Sequence, residues 1–136
     1  MNIDMVIGGF SLTCLGEREQ LSPVIRPSEQ DLYRLLEYMR DRTGVLTIRN
    51  NFADESGPYQ LSLYSQDNNY LLLLSEFDIE GEHNVRTPNN DNASGDCIDI
   101  LGEMHSDKTL VQNFDFIYRV FKEFFNTGNV SKELLN

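Results

Sequence analysis

The segment "EFDIEGE", residues 76–82, carries Glu76, Asp78, Glu80 and Glu82 at every second position. Carboxylates in that pattern suit ligation of a hard cation, general acid and base catalysis, or docking of a basic partner. In an extended strand they share one face, and Phe77 and Ile79 take the other. Successive carboxylates on one strand face stand about 7 Å apart, whereas a hard cation needs oxygen ligands that converge on one point. One strand therefore makes no metal cage. The nearby "NDNASGDCIDIL", residues 90–101, resembles a calcium loop through Gly95. It begins on neutral Asn90 and ends on Leu101, where a bidentate Glu is required. No metal and no cofactor are expected.

Nucleophilic catalysis needs a Ser or Cys beside a His and an orienting acid. His83 and His105 sit in polar stretches, and neither Cys14 nor Cys97 has a nucleophile's sequence context. The two cysteines read as reduced, buried, small apolar residues. "GGFS", residues 8–11, is not a nucleophile elbow, and no phosphate-loop or dinucleotide fingerprint occurs. A pair of carboxylates acting as acid and base has no spacing rule, so a small carboxylate-dependent hydrolase using Asp78, Glu80 or His83 stays open. Phe114, Phe116, Phe121, Phe124 and Phe125 fall at helical spacing and read as core rather than as a ligand pocket.

Composition narrows the partners. The net charge is −11, and residues 54–107 hold 12 acids against the single base Arg86. Such a field repels nucleic acid and anionic membranes and steers basic proteins toward the chain. Acids in that stretch, Asp54, Glu55, Glu76, Asp78, Glu80, Glu82, Asp91, Asp96 and Asp99, are the candidate partner contacts. Acidic loops that only keep the chain soluble are the alternative. The N-terminal "MNIDMVIGGF" has none of the features of a signal or transit peptide, and no apolar run approaches membrane-helix length, so a cytoplasmic location is expected. A length of 136 residues suits one domain, 1–136.

The elements that must position these residues follow from periodicity. "MVIGGFSLTCL" suits a strand bent or bulged at Gly8-Gly9. Ser28 and Asp31 form a capping box for a helix whose apolar face is Leu32, Leu35, Leu36 and Met39, with Gly44 as its stop. Strands are then expected at 45–49, 59–65, 70–74, 83–87, 97–102 and 109–111, with the turn Asp67-Asn68-Asn69 joining a hairpin. Four consecutive leucines, 71–74, mark a strand covered on both faces. Asp115 reads as the N-cap of a last helix that Gly128 ends. The result is an α+β fold: a mainly antiparallel sheet of about five to six strands with two helices packed on one side.

"FKEFFNTGNVSKELL", residues 121–135, resembles the C-terminal signature of small bacterial immunity proteins of polymorphic-toxin and contact-dependent growth inhibition systems, an aromatic helix ending in Phe-Phe-x-Thr-Gly. "GPYQLSLYSQDNNYLLLL", "NVRTPNN", "IDILGE" and the early Gly-Gly are similar in the same order. The motif residues Gly8, Gly9, Gly57, Pro58, Phe124, Phe125, Thr127 and Gly128 read as structural. The resemblance implies a cytosolic, non-enzymatic protein that binds a cognate toxin domain with a basic surface, such as a nuclease or deaminase, and blocks it. A structural subunit of a larger complex is the other binding alternative.

Overall fold

The computed structural model describes residues 3–136. Strands β1 (Met5–Leu12) and β2 (Arg18–Ile25) lead into helix α1 (Glu29–Met39), followed by β3 (Thr43–Asn50), β4 (Gly57–Gln66), β5 (Asn69–Phe77) and β6 (His83–Arg86). A hairpin of β7 (Cys97–Ile100) and β8 (Glu103–Ser106), the short β9 (Leu110–Val111) and helix α2 (Phe114–Thr127) complete the chain. The main sheet runs β2-β1-β3-β4-β5-β6, antiparallel throughout, and β9 shares the outer edge of β5 with β6. The architecture is the expected α+β, and residues 1 and 2 lie outside the described residues.

Alternation along the strands sorts the core. Met5, Ile7, Leu46, Ile48, Leu61, Leu63, Leu72 and Leu74 pack with both helices on one sheet face. Leu71 and Leu73 turn to the opposite face, where Ile98, Ile100, Leu101 and Leu110 cover them together with Tyr64. The leucine run thus feeds two cores, as its unbroken apolarity implies.

Ser28 caps α1 as read from sequence: its Oγ accepts from the Asp31 N–H, and the Asp31 carboxylate accepts from the Ser28 N–H. These bonds, with Arg34 nearby, hold the Asp31 carboxyl below its usual range. Gly44 does not end this helix. Arg40 is the C-cap, and Gly44 lies inside β3 opposite Ser11 of β1. A Cβ on Gly44 would stand 2.2 Å from the Phe10 carbonyl oxygen and 2.8 Å from Ser11 Cα. Close backbone approach, not a left-handed turn, requires glycine there. Gly44→Ala should lower stability by about 1–3 kcal/mol in chemical denaturation; a neutral result would return Gly44 to an incidental role.

The N-cap of α2 is Asn113 rather than Asp115; its Oδ1 accepts from the Asp115 N–H at 3.0 Å. Asp115 instead supplies negative charge to the first turn, where the helix dipole favours it. Gly128 ends α2 in the left-handed conformation at φ 75°, its N–H donating to the Phe124 carbonyl. Phe114, Phe121 and Phe124 are buried, and Phe116 and Phe125 pack at the edge of the same core.

Two strands were not legible. β2 is mostly exposed and contains Pro23, which an edge strand tolerates, and β8 is a four-residue strand whose one apolar residue, Met104, is exposed. Both cysteines are exposed, contrary to the apolar reading. Cys14 follows β1 in the connection to β2, and Cys97 opens β7 at the surface, so neither reaches a core.

Candidate functional site

β3 ends, β4 begins, β5 ends and β6 begins at one end of the main sheet. The register therefore gathers the loop 51–56, with Asp54 and Glu55, and the turn 78–82 at the same end. Asp91, Asp96 and Asp99 lie elsewhere, in the loop after β6 and on β7. Glu76 apart, the candidate acids form two groups, not one surface.

"EFDIEGE" is not one carboxylate row. Glu76 and Phe77 finish β5, and the chain then reverses. Asp78 Oδ1 accepts from the N–H groups of Glu80 and Glu82, each at 2.9 Å, and the Asp78 N–H donates to the Glu82 carbonyl at 2.9 Å. Gly81, at φ 84°, permits the reversal. An Asp side chain that bonds backbone groups two and four residues on defeats the strand that period-two spacing implies. Glu80 and Glu82 are left exposed, and Ile79 is 92% exposed.

Glu76 points the other way, to the helix side. Its Oε1 lies 3.3 Å from Nε of Arg86, which is 7% exposed. Arg86 Nη2 donates to Asn129 Oδ1 at 2.7 Å, and Nη1 donates to the Leu135 carbonyl at 3.4 Å. The lone base of the acidic stretch thus ties β5 and β6 to the tail after α2, and Glu76 is its counter-ion.

Between the two acidic segments lies a partly exposed aromatic group that the sequence reading missed. The rings of Tyr59 and Phe77 stack at 5.2 Å and 16°, and His83 meets Phe77 edge-on at 5.3 Å. A hydrogen bond of 3.0 Å joins Tyr59 Oη and His83 Nε2. Arg49 sits 5.8 Å from the Tyr59 ring centre. Phe77 shares the strand parity of Leu71 and Leu73, which places the group on the face away from the helices, beyond the β7–β8 cover. The missing signal was a bulge: register shifts between Pro58 and Gln60, and turns Tyr59 toward Phe77.

Asp54 borders two recesses at this end. One, about 440 Å³, is shared with Phe52, Gly57, Pro58, Thr127 and Gly128; the other, about 480 Å³, with Arg49, Glu55, Tyr59 and Phe77. Motif residues from distant parts of the chain thus frame one recess. Of the other motif glycines, Gly9 marks the bulge between β1 and β2, and a Cβ there would stand 2.0 Å from the Val45 carbonyl oxygen.

The calcium-like loop has an internal organiser. Asp107 accepts from Ser94 Oγ and the Gly95 N–H, each at 2.7 Å, and the Ser94 bond leads in holding its carboxyl below the usual range. Among the described residues, no three His, Cys, Asp or Glu side chains gather in a way that would hold a metal. His83 and His105 lie on different strand pairs. No helix among the described residues is long and apolar enough to cross a membrane.

Comparison with known proteins gives a fold and a family. A crystal structure of a hypothetical protein from Neisseria gonorrhoeae superposes with a TM-score of 0.83 over 96% of this chain and 92% of that one, at 24% sequence identity. That likeness speaks to the fold alone. No curated protein matches the chain. Residues 4–134 match the family of unknown function DUF6911, a span that includes both acidic segments, the aromatic group and both helices, and the chain belongs to that family.

Proposed function

We propose that this chain is an immunity protein that binds and neutralises a toxin domain bearing a basic active-site surface, such as a nuclease or deaminase. The observation that carries the reading is the Tyr59–Phe77–His83 group, half-buried at Tyr59 and open at Phe77 and His83, set between Asp54 and Glu55 on one side and Glu80 and Glu82 on the other. Aromatic anchors ringed by charge are how protein interfaces divide their work. A few packed aromatics hold most of the affinity, and surrounding charge sets approach rate and selectivity. The acidic field of residues 54–107 favours a basic protein over nucleic acid as the occupant. On this reading the protein acts in the cytoplasm, by occupancy rather than by catalysis, and needs no cofactor. The resemblance of residues 121–135 to immunity-protein tails points the same way.

Co-expression with the product of the gene immediately upstream tests the reading. The expected result is a stable complex on size-exclusion chromatography and relief of growth inhibition caused by that product. An upstream product that is harmless and does not co-purify would count against it.

A further inference from the structure

We propose that the partner is held along β6 by strand addition, as an extended segment with apolar residues on one side and Lys or Arg on the other. The proposal rests on the immunity reading and specifies how the same end of the sheet takes its occupant.

Among the described residues the main sheet ends on β2 at one side and on β6, with the two-residue β9 beyond it along β5, at the other. β2 is blunted by Pro23 and by the charges of Arg18 and Glu19, devices that keep an edge from pairing. β6, "HNVR", has no proline and no bulge in its pairing with β5, and its one cation, Arg86, turns into the core.

The direction of its backbone groups follows from register. Asp67 and Asn68 form a two-residue turn, both at positive φ (52° and 63°), so the flanking pair Gln66 and Asn69 is a hydrogen-bonded pair. Alternating along β5, Leu74 and Glu76 then bond away from β4, toward their partners Arg86 and Asn84. The N–H and C=O groups of His83 and Val85 consequently face outward. The next outward carbonyl, that of Thr87, is taken by the Asn136 N–H at 3.0 Å. What stays open is a short ladder beside the aromatic group, reached from a turn that bears Glu80 and Glu82.

An added strand would set alternate side chains against His83 and Val85, 45% exposed, with the Phe77 ring behind His83 on the same face. Its other side chains would lie on the side of Asn84 and, next along the chain, Glu82. Apolar residues fit the first set and bases the second. A second copy of this chain, also at −11, would bring like charge to the same edge.

The probe is an eight-residue peptide of alternating Lys and Val, added to the isotope-labelled protein. At saturation the amide exchange of His83 and Val85 should slow at least about tenfold, while Asn84 and Arg86, already bonded, change little. Val85→Pro removes one outward N–H without touching the β5 ladder, and an edge strand tolerates it. It should weaken peptide binding about tenfold or more, while Val85→Thr stays within about twofold. Absence of binding, or binding that leaves the two amides exchanging as before, overturns strand addition. So does protection of those amides by self-association without peptide. If the upstream product is still captured in any of these cases, the immunity reading stands and only this mode fails. Should Val85→Pro not fold, the exchange data on the unaltered protein decide.

Discussion

Arg86→Ala should cost about 3–5 kcal/mol of folding stability, a large share of the roughly 5–15 kcal/mol available to a domain. The side chain is buried and faces Glu76, Asn129 and the Leu135 carbonyl. Its Nε meets Glu76 as an ion pair without the alignment of a hydrogen bond. Removing the guanidinium leaves the Glu76 carboxylate, 24% exposed, without its counter-ion, and frees the tail that packs Val130, Leu134 and Leu135 into the core. Glu76→Ala should also be costly, because the charge it strands is the more deeply buried of the two. A double replacement by apolar residues, Arg86→Met with Glu76→Leu, should recover much of the loss. Denaturant titration of the single and double variants reads all of this. Losses below about 1 kcal/mol for both single changes would show the pair to be dispensable.

On the proposed immunity reading, Phe77→Ala should weaken capture of the basic partner about thirtyfold, near 2 kcal/mol. The ring stacks on Tyr59 and receives the edge of His83, so its removal disperses the whole anchor. Because Phe77 is 37% exposed and outside both cores, the same change should alter denaturation little. Binding loss without stability loss separates an anchor from a packing residue. Calorimetric titration of the upstream-encoded product against both proteins measures it, and equal affinities would remove the aromatic group from the interface.

Much of the architecture was written in local chemistry. The Ser28–Asp31 box, the Asp67-Asn68 turn and Gly128 each act through neighbours in sequence, the leucine run carries its two-sided burial in its composition, and each stands where the pattern put it. Most of the misread positions depend on contacts that sequence spacing does not contain, and one on a local bond that competes with the strand. Gly44 answers to the Phe10 carbonyl of a distant strand. β2 lacks apolar alternation because it is exposed almost throughout, with only Leu21 and Val24 half-buried against the core. Period two in "EFDIEGE" was overruled by Asp78 bonding its own backbone, which dissolved the supposed row of acids. The gathering of Asp54 and Glu55 with Glu80 and Glu82 is a product of strand order and could be read only once register was known. The aromatic group needed one thing more, the bulge at Tyr59.

The proposed role of that end of the sheet is tested most directly by the salt dependence of the association rate between this protein and the upstream-encoded product that the immunity reading names as its toxin. The informative variant neutralises Asp54, Glu55, Glu80 and Glu82 as amides and spares Asp78, which holds the turn, and Glu76, which holds Arg86. For the unaltered protein, association should be fast at low salt and fall steeply as salt rises. The variant should associate about tenfold or more slowly at low salt, with a flatter salt response and a dissociation rate changed far less. Identical rates and identical salt slopes for the two proteins would contradict the account, because the acids at this end would then play no part in meeting a basic partner.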